Sequence, residues 1–168
     1  PYACQLQGAA GLLTGRFVTD QTFGSRTNLL DLKMRHWDAD LLALFEVEER
    51  MLCDLVAPGS IIGGVTPQMA RATGLTAGLP VVSAGGDQQC AALGLGLFSG
   101  ERAVSNTGTG SYLIGHTDKP ALDEGMRLSC NVSAVPGAYI VEAAVLTSGT
   151  IYRWFKESLF GAVAPEGD

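Results

Sequence analysis

Two short stretches carry the residue types that chemistry needs. In Leu79-Pro-Val-Val-Ser-Ala-Gly-Gly-Asp-Gln-Gln89, an apolar run ends in Gly85-Gly86 and delivers one carboxylate, Asp87. Two glycines let a backbone turn tightly and approach a ligand where a Cβ would interfere. In α/β sheets, ligands gather beyond the carboxyl ends of strands. Such a carboxylate could accept the proton of an alcohol as its oxygen bonds to phosphorus. That base work is worth at most about 10⁴-fold, and positioning and charge neutralisation supply the rest. A magnesium ion would carry part of that charge. The plainer reading of Asp87 is a cap on the helix that starts at Gln88.

The second stretch is Thr107-Gly108-Thr109-Gly110-Ser111, with Gly108 and Gly110 exposing successive backbone amides and Thr109 and Ser111 adding hydroxyls. Such a turn can cradle a phosphate. It can equally be an ordinary hairpin turn. Ser148-Gly149 opens a helix that could present its N-terminus to a phosphate or ribose, or simply be capped there. His36 and His116 stand at no metal-ligand spacing and read as surface histidines.

The elements that must hold these residues alternate between helix and strand up to about Phe98. Leu6, Ala9, Ala10 and Leu13 fit a helix over 2–13, stopped at Thr14-Gly15. Val18 to Arg26 reads as polar and turn-rich, and Thr27 to Met34 as a loose strand. Asp38 should cap a helix over 39–47 whose apolar face is Leu41, Leu42, Leu44 and Phe45. A short helix is expected before Pro58-Gly59, then an extended Ile61 to Gly64. Thr66-Pro67 and Gly74 mark both ends of another helix. Pro80 to Ala84 reads as a strand and Gln88 to Phe98 as a helix. From Gly100 the chain reads as a strand meander: 102–106, 112–117, 126–132 and 139–146. A last helix sets Ile151, Trp154, Phe155 and Leu159 on one face. The change near residues 98–100 suggests a domain boundary.

Composition narrows the classes. The chain has 168 residues, 46% hydrophobic and 17% charged, which suits an ordered core. Its net charge of −6 and lack of a basic cluster exclude an obvious nucleic-acid binder. No apolar run approaches a membrane span. Pro1-Tyr2-Ala3-Cys4 has neither an initiator Met nor a signal pattern and reads as a cut edge. Cys4, Cys53, Cys90 and Cys130 form no Cys-x-x-Cys pair. They are expected to be buried reduced thiols in a cytoplasmic protein, without zinc or a disulfide framework.

Taken together the motifs resemble the FGGY carbohydrate kinases. The resemblance is carried by Leu13-Thr-Gly-x-x-Val-Thr-Asp20, Ser25-Arg-Thr-x-Leu-x-Asp31, Trp37-Asp38, Thr66-Pro67, Ala72-Thr-Gly-Leu75 and Gly78-Leu-Pro-Val81. It continues through Gly86-Asp-Gln-Gln89, Gly108-Thr-Gly110, Ser148-Gly149 and Arg153-Trp-Phe155. It implies an α/β, actin-like ATPase (ribonuclease H-like) fold, here partial. Residues 1–98 would be the later part of the N-terminal, sugar-binding domain, and 99–168 the start of the C-terminal, nucleotide-binding domain.

The resemblance further implies ATP-dependent phosphorylation of a small sugar or polyol, with ATP and Mg2+ as cofactors. Asp87 would be the catalytic base, reaching Mg2+ through water rather than as a direct ligand, and Asp87 and Gln88 would contact substrate. Gly108, Thr109, Gly110 and Gly149 would bind the nucleotide phosphates. The family's Gln four residues after that last glycine is Arg153 here. Gly-Asp-Gln-Gln and Ser-Arg-Thr are closer to glycerol kinases than to xylulose kinases. The implied parent is a cytoplasmic enzyme, with a homodimer admitted, and binds neither nucleic acid nor membrane.

The family's Asp-x-Gly-Thr phosphate loop is missing, and its adenosine-binding Gly-Gly segment would lie beyond Asp168. The chain alone is therefore expected to be inactive. Three other readings stay open: a non-catalytic actin-like nucleotide-binding module, a dehydrogenase with 107–111 as its cofactor loop, and a folding unit without activity of its own. The dehydrogenase fits poorly because strands, not a strand and a helix, flank that loop.

Overall fold

The structure, a computed structural model, describes residues 8–161. α1 (Gly8–Thr14) ends where Gly15 turns the chain at φ +74°. The part of the expected first helix before Gly8 lies outside the described residues. β1 (Val18–Asp20) follows, then α2 (Gln21–Ser25). This corrects the expectation of a turn-rich loop. All three β1 residues are buried, and β1 pairs in parallel with β4 (Asp54–Val56), Val18 opposite Asp54. The polar residues that suggested a loop satisfy one another inside: Asp20 caps α2 by accepting from the Thr22 and Phe23 amides.

The strand expected over 27–34 shrinks to β2 (Leu30–Asp31), paired with β3 (His36–Trp37). Asp31 Oδ1 accepts from the Lys33 and Met34 amides and bends the chain between them. Asp38 caps α3 (Ala39–Leu44) as expected. The helix stops three residues early, with Glu46 at φ +54°, and only Leu42 of its apolar face is buried; Leu44 and Phe45 are exposed. A 3-10 turn at Glu49–Met51 leads to β4, which the sequence did not suggest.

β5 (Ser60–Gly64) and β6 (Pro80–Ser83) pair antiparallel around α4 (Pro67–Thr73). α4 has the expected ends, with Thr66 Oγ1 accepting from the Met69 amide and Gly74 left-handed at φ +78°. α5 (Asp87–Gly94) is shorter than the expected 88–98, because Gly96 at φ +82° reverses the chain and turns Leu97 inward.

The remainder is one antiparallel sheet in the order β7-β8-β10-β9, followed by α6 (Ser148–Phe160). Its strands are β7 (Ala103–Thr107), β8 (Ser111–Thr117), β9 (Ser129–Val132) and β10 (Tyr139–Val145). The apolar residues of α6, Ile151, Trp154, Phe155 and Leu159 among them, are exposed. No helix among the described residues is long and apolar enough to cross a membrane.

Two apolar clusters set α5 and the early hairpin against this sheet. Ala92 and Leu97 pack with Val104, Ile114 and Ile140; Leu30 packs with Val132 and Tyr139. Polar bonds reinforce the second contact. Ser25 Oγ accepts from the Val132 amide at 3.1 Å, the Tyr139 hydroxyl donates to the Leu32 carbonyl at 2.9 Å, and Arg26 pairs with Glu142 at 3.2 Å. Burying this apolar area, at about 25 cal/mol per Å², is what fixes α5 relative to β7.

Two smaller expectations are also corrected. The His116 side chain is 4% exposed and lies 3.2 Å from Asp118, so it is not a surface histidine. Cys53 is disulfide-bonded, whereas Cys90 and Cys130 are free.

Candidate active site

The strand β6 ends at Ser83, and Ala84-Gly85-Gly86 carries the chain into α5. Gly85 has φ +128°, a conformation that a side chain disfavours. Gly86 occupies the N-cap position, and an ideal Cβ there would meet Gln89 Oε1 at 2.5 Å. Asp87 is thus the first helical residue and not the cap. Its carboxylate is exposed, accepts from the Gln88 amide at 2.8 Å through Oδ1, and sits at the positive end of the helix dipole. The helix-cap reading of Asp87 does not describe the structure.

Beneath this turn lies a buried polar network that the sequence reading missed. Asp20, Thr22 and Ser83 are 0%, 0% and 5% exposed. Ser83 Oγ donates to Asp20 Oδ2 at 2.5 Å, the Thr22 hydroxyl donates to Asp20 Oδ1, and the Gly86 amide donates to Thr22 Oγ1 at 2.7 Å. The signal that could have found part of it is local: an Asp two residues before a Thr at a helix start is an N-cap pattern. The reach to Ser83 and Gly86 has no local signal.

Cys90, one turn into α5, feels both carboxylates. Burial raises its thiol pKa first, and the negative charges of Asp20 and Asp87 raise it further. A thiol kept protonated is a poor nucleophile. Cys90 should therefore react with iodoacetamide at pH 7.5 more slowly than a free cysteine in a peptide, which peptide mass mapping over time would measure. Labelling at the free-peptide rate would show that burial and the two carboxylates do not hold the thiol protonated.

Gln88 links the two stretches singled out by their chemistry. Its Oε1 accepts from Asn106 Nδ2 at 3.1 Å, and Asn106 lies on β7, just before the glycine-rich turn. That turn is a true β7–β8 hairpin, with Thr107 opposite Ser111 and the Gly108 amide donating to the Gly110 carbonyl at 2.7 Å. A plain hairpin, however, would not need a helix seated on it. The amides of Gly149 and Thr150 donate to the Thr109 carbonyl at 3.0 and 3.3 Å, and Ser111 Oγ meets Ser148 Oγ at 2.7 Å. A Cβ on Gly149 would overlap the Gly108 carbonyl oxygen, and one on Gly110 would stand 2.9 Å from the Val145 carbonyl oxygen. Both glycines are required by close backbone approach. Gly108, Thr109 and Gly149 lie together at this turn; Arg153 lies exposed on α6.

The residues present suit the groups that the resemblance implies. Gly108 and Thr109 are exposed, and a Cβ on Gly108 would enter open space, leaving room for a phosphate against the backbone. Among the described residues no cluster of three metal-ligating side chains exists. A single exposed carboxylate nevertheless fits a magnesium ion that keeps most of its water and phosphate ligands.

Comparison with known proteins gives the family and the fold. The family model described as the FGGY family of carbohydrate kinases, N-terminal domain, matches residues 10–94. The autoinducer-2 kinase of Yersinia enterocolitica is 32% identical over 149 residues, which is 89% of this chain and 28% of that protein. A Yersinia pestis autoinducer-2 kinase is 31% identical with the same coverage. Among solved structures, the xylulose kinase of Rhodospirillum rubrum matches with a TM-score of 0.82 at 26% identity, over 92% of this chain and 32% of that one. The ligand-bound xylulose kinase of Lactobacillus acidophilus matches with a TM-score of 0.84 at 23% identity, over 93% and 32%. The fold is accordingly part of the actin-like ATPase fold of these kinases. The chain spans less than a third of the length of these relatives. With its profile, its relatives and its fold in agreement, the chain belongs to the FGGY family of carbohydrate kinases.

Proposed function

We propose that the longer protein represented by this chain transfers the γ-phosphoryl group of ATP to a hydroxyl of a small sugar or polyol. One observation carries this reading: the Gln88–Asn106 bond ties the helix start bearing the exposed Asp87 carboxylate to the strand that runs into the Gly108–Gly110 turn. In this reading Asp87 as base and the turn as phosphate cradle stand on adjoining elements, an arrangement that supports in-line phosphoryl transfer.

In the reaction, Asp87 accepts the proton of the attacking hydroxyl while the new O–P bond forms and ADP departs with the old bridging oxygen. Gln88 orients the substrate by hydrogen bonding to its hydroxyls. Gly108, Thr109, Gly110 and Gly149 hold the phosphates against the turn. When bound, Mg2+ neutralises phosphate charge, and Asp87 would reach it through water. In the same proposal residues 1–98 end the sugar-binding domain, residues 99–168 begin the nucleotide-binding domain, and the protein works in the cytoplasm, where ATP is. The 168-residue chain by itself is expected to phosphorylate nothing, since it spans so small a share of its relatives.

The names of similar proteins supply the test panel: autoinducer-2, xylulose, gluconate and glycerol. The full-length parent is expected to release ADP in the presence of at least one of them, with the phosphorylated product seen by mass spectrometry. Autoinducer-2 is the first arm, since its kinases are 31–32% identical to this chain. ATP binding without turnover on any member would favour the non-catalytic nucleotide-binding module instead.

A further inference from the structure

We propose that Thr22, anchored by Asp20, is a positioning residue that fixes the Gly85-Gly86 turn and thereby aims the Asp87 carboxylate. The inference rests on the proposed role of Asp87 as base.

The turn needs an external restraint. Two consecutive glycines have more conformational freedom than any other pair, and no side chain caps α5. The direction of the Asp87 side chain follows from the backbone angles of Gly86, at φ −64° and ψ 153°. Thr22 supplies the restraint from 64 residues away, accepting the Gly86 amide at 2.7 Å.

The direction of each bond is dictated by chemistry. The Gly86 amide can only donate. The Thr22 hydroxyl has one proton, and it is given to Asp20 Oδ1. The chain therefore runs Gly86 N–H to Thr22 O–H to Asp20 Oδ1, each bond polarising the next. Asp20 is itself immobilised, since Oδ1 also accepts from the Thr22 amide at 2.9 Å and Oδ2 from Ser83 Oγ at 2.5 Å. Burying such a carboxylate is costly unless its oxygens are satisfied, and here they are satisfied by the start of α2 and by Ser83 at the end of β6.

Helix capping does not account for this arrangement. The cap on α2 uses Asp20 with the backbone amides of Thr22 and Phe23. The bond from Gly86 to the Thr22 hydroxyl adds nothing to α2, and its only effect is on the turn before Asp87. A Cβ built on Gly85 or Gly86 would stand 3.4 or 3.7 Å from Thr22 Oγ1, ordinary contact distance, so the turn lies directly beside the residue that restrains it.

The test uses the full-length kinase with ATP and whichever of autoinducer-2, xylulose, gluconate and glycerol it turns over fastest. Thr22→Val keeps the shape and removes the acceptor. It is expected to lower kcat by about 10–100-fold, since misplacement of a reacting group by about 1 Å costs on the order of 100-fold. KM for ATP should stay within about 3-fold, because the phosphate turn is untouched, and Thr22→Ser should restore most of kcat. Hydrogen exchange of the 84–89 segment should speed up in Thr22→Val while the rest of the protein keeps its protection.

Unchanged kcat in folded Thr22→Val would overturn the inference, as would a Thr22→Ser variant no better than Thr22→Val. Should Thr22→Val fail to fold, exchange in the unaltered protein decides: a Gly86 amide without protection overturns the inference, and a protected one supports it. Asp87→Asn, run in parallel, separates the two levels. If it retains turnover, the base role falls and this inference with it; if it loses turnover while Thr22→Val does not, only the positioning role falls.

Discussion

If the full-length protein is the kinase proposed above, Asp87→Asn in it is expected to lower kcat by about 10²–10⁴-fold, the range that a positioned general base supplies. The substitution is close to isosteric, and its amide oxygen can still accept from the Gln88 backbone, so the start of α5 should hold. What it removes is the basic oxygen and a negative charge. KM for ATP should change by no more than about 3-fold, because the Gly108–Gly110 turn and Gly149 do not depend on Asp87. Steady-state kinetics with the best panel substrate measures both. An unchanged kcat would remove Asp87 from the base role. A second readout is independent of turnover: losing the Asp87 charge should let the Cys90 thiol pKa fall toward its ordinary value, because a neighbouring anion is one of the causes raising it. Iodoacetamide labelling of Cys90 should then be faster in Asp87→Asn than in the unaltered protein at the same pH.

Gly149→Ala is expected to be the most disruptive single methyl group in the site. Its Cβ would overlap the Gly108 carbonyl oxygen, a backbone atom that cannot rotate away as a side chain could. Relief requires α6 to withdraw from the turn, which breaks the Gly149 and Thr150 bonds to the Thr109 carbonyl. Overpacking of this kind costs about 1–3 kcal/mol, so the melting temperature should drop. Displacing the turn should also weaken ATP binding by about 10-fold or more, roughly the 1.4 kcal/mol that corresponds to a tenfold change. Calorimetric titration with ATP measures this directly. Gly94→Ala is the control: its Cβ would meet nothing within 4 Å, and ATP affinity and turnover should be retained. Unaltered ATP affinity in Gly149→Ala would separate α6 from the proposed nucleotide site.

Much of the architecture was legible where a few contiguous residues decide the outcome. Thr66-Pro67 and Gly74 define α4 because a cap, a first-turn proline and a left-handed stop are local chemistry. Asp38 starts α3 for the same reason. The β6-Gly85-Gly86-Asp87 sequence reads directly as a strand, a tight turn and a presented carboxylate, and the four strands after residue 100 have their own turn residues. Where α3 and α5 end was less legible, because left-handed turns at Glu46 and Gly96 cut short patterns that the apolar spacing alone would continue.

By itself, then, the sequence determined the family, the order of elements after Gly59 and the placing of a carboxylate, Asp87, straight after the Gly85-Gly86 turn. Only the tertiary structure decided what holds that group. Asp20 and Thr22 look like loop residues in sequence because polarity is read as exposure, and nothing in the strand ending at Ser83 marks that residue as their partner. Ser83 lies 63 residues from Asp20 and Gly86 lies 64 from Thr22. A polar group can be buried once its partners surround it, and those partners are assembled only by folding. Long-range packing also sets the need for glycine at Gly149, which comes from the backbone of the β7–β8 turn that approaches it. Local chemistry names the residues that could act; long-range packing determines which are held still enough to do so.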